Sequence, residues 1–296
     1  MANKMTNHKN FSPSNITKSQ FYSASDENKA AESDFPSGKD TIFANNLAPV
    51  SPFAFNEEVT AVFDDMIKRS VPLYMESIQR QCQMAQRFYK PGTFMYDLGC
   101  SHGNLGIMMM NFFSGINNGL YPRPSMQNSH PFTMIAVDSS FPMIAKYKNR
   151  LHKGGYSNKK SDNKICLVCS LAEDIVISRA SAVIVNLTMQ FIKLSKRDQF
   201  IKGIHDGMVP GGILILSEKI SHEDRDICGL QQDFYKNFKL DNGYSELEIS
   251  RKREALENIL IPETTKSHME RLGRAGFKKI DIWLKWFNFV SFIAIR

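Results

Sequence analysis

The sequence predicts an α/β fold, a doubly wound and mostly parallel sheet with helices on both faces. From about residue 94 to residue 217, short apolar runs rich in β-branched residues alternate with segments of helical period, the pattern of parallel strands crossed over by helices. The first of these runs passes into a glycine-rich turn, Tyr96-Asp-Leu-Gly-Cys-Ser-His-Gly-Asn-Leu-Gly106, that opens a helix. The last two runs, 280–286 and 289–295, meet at Phe287-Asn288 with no helix between them, so they read as a hairpin at the sheet edge.

Taken in order, residues 1–39 are rich in Ser, Asn and Lys with no apolar period, and they are read as a disordered extension. The folded domain, 40–296, begins with a helical pattern (Val59, Val62, Phe63, Met66, Ile67) that runs to Pro72, and a second helix is predicted over 75–88. Strands are predicted at 94–98, 133–137, 165–168, 182–187 and 213–217, with helices at 104–113, 142–151 and 196–205 between them. Residues 114–130, rich in Gly, Asn and Pro, read as a surface loop without chemistry. A helical insertion at about 218–278 exceeds what a simple α/β sheet needs and is placed over the site. Within it, Ser245 and Glu248 form a capping box, and Tyr244 and Ile249 occupy the positions of a hydrophobic staple. Ile249, Arg253, Leu256 and Leu260 then share one face of a helix over 244–258. This sets Arg253 against an apolar surface, either as a structural ion pair or as a grip for a ligand carboxylate.

At 296 residues with 42% hydrophobic composition, the chain is long enough for a substantial core. The net charge of +7 is spread without a long Lys/Arg block, which argues against direct, stable nucleic-acid binding. Five cysteines without framework spacing read as reduced thiols of a cytoplasmic protein. Cys166 and Cys169 form a CxxC inside a β-rich run, read as strand thiols with a redox or zinc pair as the alternative. No metal is expected. No apolar run approaches the length of a membrane span.

The glycine turn carries the first candidate site. Gly99 and Gly103 let the backbone pass close to a ligand, and the helix that follows offers free amides to a carboxylate. Ser101 stands where a dinucleotide fingerprint has its middle glycine, which favours a smaller group than a dinucleotide phosphate. Asp138 ends the second strand as an acceptor for ribose hydroxyls or as a helix cap, and Asn186 ends the fourth strand at the same sheet edge. Together these elements resemble the class I S-adenosylmethionine-dependent methyltransferase superfamily. That resemblance implies a Rossmann-like, seven-stranded sheet with S-adenosylmethionine at its centre.

Further segments are more specific: Asp40-Thr-Ile-Phe-Ala44, Met66-Ile-Lys-Arg-Ser-Val-Pro-Leu-Tyr74, Leu187-Thr-Met-Gln-Phe191, Gly211-Gly-Ile-Leu-Ile-Leu-Ser-Glu-Lys219, and 242–258. They resemble the carboxy-S-adenosyl-L-methionine synthases, a bacterial family serving wobble-uridine modification of tRNA. The resemblance covers about residues 40–295. It implies a homodimer that converts S-adenosylmethionine and prephenate to carboxy-S-adenosylmethionine, phenylpyruvate and water, and that supplies a downstream tRNA carboxymethyltransferase. The family's binding positions carry over to Tyr74, Gly99, Cys100, Ser101, Asp138, Ser139, Asn186 and Arg253. The adenine-facing pair falls on Leu171 and Ala172. Leu171 departs from the family's acidic residue, and Glu173 and Asp174 lie close by.

The resemblance gives Arg253 and Tyr74 catalytic roles, with Tyr74 either hydrogen-bonding a ligand carboxylate or lining the pocket. A guanidinium about 5 Å from a sulfonium is repelled by roughly 3 kcal/mol at an effective dielectric of 20, so a carboxylate between the two cations is what makes the arrangement favourable. No residue stands out as the proton-abstracting base, and the departing hydroxyl of the substrate is assigned that function. The competing readings are a conventional S-adenosylmethionine-dependent methyltransferase, in which Arg253 is an incidental ion pair, and a non-catalytic nucleotide carrier or tRNA-binding module.

Overall fold

The computed structural model describes residues 21–22, 38–45, 49–114, 130–156 and 162–296. After a two-residue strand, β1 (Phe21–Tyr22), come the helices α1 (Glu57–Ser70) and α2 (Tyr74–Phe88). The alternating part consists of β2 (Phe94–Leu98), α3 (Asn104–Ser114), β3 (Thr133–Asp138), α4 (Phe141–Lys153), β4 (Lys164–Cys169), β5 (Ala180–Asn186), α5 (Leu194–Gly207) and β6 (Met208–Ser221). The chain closes with α6 (Arg225–Asp241), α7 (Glu246–Ala255), β7 (Glu263–Thr264), α8 (Thr265–Ala275), β8 (Lys279–Trp286) and β9 (Phe289–Ile295).

The strands line up as β1-β4-β3-β2-β5-β6-β9-β8, with β7 added alongside the end of β6. β4, β3, β2, β5 and β6 are mutually parallel, while β9 inserts antiparallel between β6 and β8. This is the expected α/β sheet with its antiparallel C-terminal hairpin. The order reverses between β2 and β5 relative to the chain, which opens a crevice at the C-terminal ends of the parallel strands.

Continuous apolar runs form the strands because both sheet faces are buried. Tyr96, Leu98, Val183, Val185, Leu214 and Leu216 enter the core with α5 and α8 residues such as Phe200, Ile204 and Leu272. Their sequence neighbours Met95, Ala182, Ile184, Ile213 and Ile215 enter the opposite core with Ile78, Met109 and Tyr147. Asp97 breaks this pattern, a carboxylate only 2% exposed within an apolar strand.

Local signals set the helix starts. Asn56 caps α1 by accepting from the Val59 amide at 2.9 Å. Ser140 caps α4, accepting from the Met143 amide, so the helix-cap reading of Asp138 gives way to its neighbour. The Ser245–Glu248 capping box forms as expected at the start of α7, and Tyr244 and Ile249 are both buried.

Two boundaries differ from the sequence reading. Within the segment read as a disordered extension, Phe21 and Tyr22 pair antiparallel with Val168 and Leu167 of β4, supplying edge hydrogen bonds through a strand too short to show an alternation. The rest of residues 1–37 and the loop 115–129 lie outside the described residues. β6 runs on to Ser221, so Glu218 and Lys219 are strand residues and the helical insertion begins after them.

The return from the insertion is fixed by Arg197 on α5, whose side chain is fully buried. Its Nε donates to the Ile192 carbonyl, its Nη2 to the carbonyls of Gln190 and Ile261, and its Nη1 to Glu263 at 2.6 Å. Arg271 of α8 grips the same Glu263 with two nitrogens. Glu263 keeps Arg271 when Arg197 is removed, but the buried Ile192 and Ile261 carbonyls lose a donor, so Arg197→Ala is expected to cost about 1 to 3 kcal/mol of unfolding free energy by urea denaturation.

Candidate active site

The glycine turn follows β2 as the sequence requires. Gly99 has φ +85°, and a Cβ there would lie 2.0 Å from Thr188 Oγ1, so neither the backbone nor the space admits a side chain. Ser101 also takes a left-handed φ of 49°, in keeping with its place at a glycine position. Its amide donates to Asp138 Oδ2 at 2.8 Å, and the Ser140 amide donates to Oδ1 at the same distance. Asp138 therefore locks the turn after β3 onto the turn after β2. Burial raises its carboxyl above the usual range despite these amides.

Both turns open into a cavity of about 380 Å³. Tyr74, Gly99, Cys100, Ser101, Asp138, Ser139, Leu171, Ala172 and Asn186, all expected site residues, line it. Tyr74 is placed as the first residue of α2, with its hydroxyl 3.4 Å from Asn104 Nδ2, and burial raises its phenol above the ordinary value. Asn104 is itself fixed by Arg150, which donates to its Oδ1 at 2.8 Å. Asn186 Oδ1 accepts from Gln81, a buried amide that also reaches Ser77 and Ser217. Leu171 is exposed, Ala172 is buried beside it, and Glu173 joins the lining.

Arg253 is the exception and a correction. The segment read as one long helix ends at Ala255, and Asn258 takes a left-handed φ of 61°. Leu256 and Leu260 therefore follow the helix instead of extending its apolar face. The buried face runs through Glu248, Ile249 and Ala255, turning Lys252 toward the cavity and leaving Arg253 exposed on the surface of α7. Lys252 meets a buried carboxylate, with Nζ 3.6 Å from Asp40 Oδ2 and 3.0 Å from Ser70 Oγ. Tyr244 donates to the same Asp40 oxygen.

Four further charged groups lie in the cavity wall or behind it. Asp97 lines the cavity, its Oδ2 is buried without a hydrogen-bond partner, and burial with Asp138 nearby pushes its carboxyl up to about 7. An acid inside an apolar strand two residues before the glycine turn was the available signal. Lys219 also lines the cavity, and burial, with Arg253 adding to it, lowers its ammonium to about 8. Lys239 on α6 is lowered further, to about 7, by burial and then by Lys219, Lys252 and Arg253. Glu218 Oε1 accepts from the Thr188 and Met189 amides and Oε2 from the Gln190 amide, fixing the turn that faces Gly99.

These features suit a small zwitterionic nucleotide, with free amides at the start of α3 for a carboxylate and the orphaned Asp97 for an ammonium. The sequence comparisons narrow this further. The carboxy-S-adenosyl-L-methionine synthase of Desulforapulum autotrophicum is 50% identical over 258 residues, 87% of this chain and 97% of that protein. The chain belongs to the carboxy-S-adenosyl-L-methionine synthase family. The synthase of Shewanella woodyi is 40% identical over 260 residues, 88% of this chain and 99% of that one. No protein-family model matches.

Solved structures share the fold at low identity. A putative O-methyltransferase of Nostoc punctiforme is 13% identical with a TM-score of 0.53, over 81% of this chain and 59% of that one. The magnesium protoporphyrin IX methyltransferase of Synechocystis, with bound SAH, is 12% identical with a TM-score of 0.51, over 78% and 87%. The family member described here is thus an enzyme of the synthase family whose fold is the class I fold of these methyltransferase structures.

Asp97 gives this family member a pH signature. Its folded value near 7 lies above the ordinary 3.8, so the fold favours the protonated carboxyl. The stability from that preference is full below about pH 4 and is lost as pH rises to about 7. Asp97→Asn keeps a neutral side chain throughout. In ligand-free protein its unfolding free energy should gain on the wild type by a few kcal/mol between pH 4 and pH 7, read by urea titration. A constant difference across that range would show that Asp97 is not held protonated.

Proposed function

We propose that the protein is a carboxy-S-adenosyl-L-methionine synthase that converts S-adenosylmethionine and prephenate to carboxy-S-adenosylmethionine, phenylpyruvate and water. Besides family membership, one observation carries the reading: a single cavity combines an orphaned carboxylate and free helix amides with buried ammonium groups. The first set fits the amino-acid end of S-adenosylmethionine. The second is of no use to the transfer of a methyl group to a neutral acceptor, but it suits a carboxylate-bearing reactant.

In this reading the glycine turn holds the methionyl end, Asp138 accepts from the ribose hydroxyls, and Ala172 and Leu171 border the adenine. Glu173, which lines the cavity next to Leu171, is positioned to replace the acidic contact that Leu171 lacks. Prephenate loses carbon dioxide and its ring hydroxyl. The hydroxyl takes a proton from the S-methyl group and leaves as water, and the carbon so deprotonated captures the carbon dioxide. Tyr74 is proposed to contact the carboxylate thus formed.

The exposed position of Arg253 favours service across a dimer over service to its own cavity. Ile227, Leu230 and Phe234 form an exposed apolar stripe at helical spacing on α6, and Phe234 stacks on Phe287 at 4.5 Å. That stripe supports a homodimer in which Arg253 of each copy approaches the other's ligand. Cytoplasmic placement is supported by the free thiols of Cys82, Cys100, Cys166, Cys169 and Cys228. Among the described residues no helix is long and apolar enough to cross a membrane. The product is proposed to serve a separate tRNA-modifying carboxymethyltransferase, and the dispersed positive charge gives no face for stable tRNA binding.

Mass spectrometry of the nucleotide released on denaturing fresh protein tests the reading directly. A species heavier than S-adenosylmethionine by one carbon dioxide is expected, and it should also accumulate when purified protein is given S-adenosylmethionine and prephenate. S-adenosylhomocysteine alone, with methyl transfer to an acceptor, would replace the reading with a conventional methyltransferase. Arg253→Ala should bind S-adenosylmethionine nearly as the wild type does but lose at least about 2 kcal/mol of affinity for the carboxylated nucleotide, measured by calorimetry.

A further inference from the structure

Lys252 and Lys219 both line the cavity, yet only one has a carboxylate. Lys252 is neutralised by Asp40, whereas the Lys219 Nζ lies 4.7 Å from the centre of the Tyr235 ring. Lys239 approaches the same ring at 4.4 Å. The charged groups acting on Lys239 are Lys219, Lys252 and Arg253, all cationic, and those acting on Lys219 are Arg253 and the Cys228 thiol. Among the described residues, then, two lysine side chains share one aromatic ring with no carboxylate paired to either. A ring face offsets only part of the cost of holding a cation away from water, and a buried cation calls for an anion.

The surroundings define that anion further. In the proposed reading the S-adenosylmethionine carboxylate takes the free amides at the start of α3, which leaves Lys219 unused by the nucleotide. The cavity wall near Lys219 in sequence and sheet register is aromatic, since Phe289 pairs directly with it across β6 and β9 and Tyr235 packs on Phe289 at 5.2 Å. Phe53, Phe55, Phe191 and Leu260 add to the apolar lining. A cation among aromatic rings selects a carboxylate attached to an unsaturated ring over a small hydrophilic anion.

We propose that Lys219, supported by the Tyr235 ring and by Lys239, forms a carboxylate subsite for the second substrate, separate from the position assigned to Arg253. It takes a carboxylate of a ring-bearing acid before decarboxylation. The identity of that acid as prephenate rests on the proposed reaction, while the subsite itself rests on the unpaired ammonium. An incoming carboxylate would restore to Lys219 the charge balance that Asp40 gives Lys252.

The test is a calorimetric titration of prephenate into protein saturated with S-adenosylmethionine, comparing wild type, Lys219→Met and Lys219→Arg. Lys219→Met is expected to weaken prephenate about thirtyfold or more, to leave S-adenosylmethionine affinity within about twofold, and to be partly rescued in Lys219→Arg. Prephenate affinity unchanged in Lys219→Met overturns the subsite, as does an equal loss of both ligands, which would mark a structural role. If the wild type neither binds prephenate nor forms a carboxylated product, the proposed reaction fails, and phenylpyruvate in the same titration then judges the subsite. Phenylpyruvate binding that depends on Lys219 would support it, and binding that is absent or independent of Lys219 would overturn it.

Discussion

The buried carboxylate of Glu218 holds the turn on which the rest of the site depends. Leu187 leaves β5 in a left-handed conformation, which is unfavourable for a branched side chain. The three amides that follow it point at one Glu218 side chain 1% exposed. So held, the turn sets Thr188 against Gly99 and presents the Gln190 carbonyl to Arg197. The Ile261 amide also donates to that carbonyl at 2.9 Å. The glycine turn, the parallel sheet and the far end of the insertion are thereby tied to a few consecutive peptide groups. Burial pushes Glu218 up to about 8 even with these donors, so the fold carries a desolvation cost at the place where its parts join.

Charge is sorted around the cavity in the same spirit. Asp97 and Asp138 stand at the ends of neighbouring parallel strands, each raised by burial, and both line the cavity. Lys219 and Lys252 stand on β6 and α7, both lowered by burial, on the side built by the insertion. The sheet supplies acids and the insertion supplies most of the bases, so a superfamily fold that binds one cationic nucleotide gains a region suited to anions. Asp40, upstream of α1, reaches Lys252, which gives the Asp40–Ala44 segment a physical role.

The strands and crossover helices were legible because they obey local rules. The β2 bounds predicted from the sequence match the observed ones, the hairpin turns where Phe287-Asn288 interrupts two apolar runs, and the Ser245–Glu248 box caps α7. That the glycine turn and the strand-end Asp138 and Asn186 line one cavity was legible for a similar reason, since the topology of any doubly wound sheet brings them together. The facing of α7 was not. Its inward face includes Lys252, which meets Asp40 more than two hundred residues away, whereas the local spacing had put Arg253 and Leu256 there.

The sequence by itself therefore determined the α/β class, the hairpin, the glycine-turn end of the cavity and the caps, because each is fixed by residues within a turn or a strand of one another. Tertiary structure decided which charges are buried and which are paired. Desolvation and ion pairing depend on what packs against a side chain from distant parts of the chain, so only the assembled fold buries Asp97 Oδ2 without a partner, neutralises Lys252, leaves Lys219 facing the cavity and turns Arg253 outward.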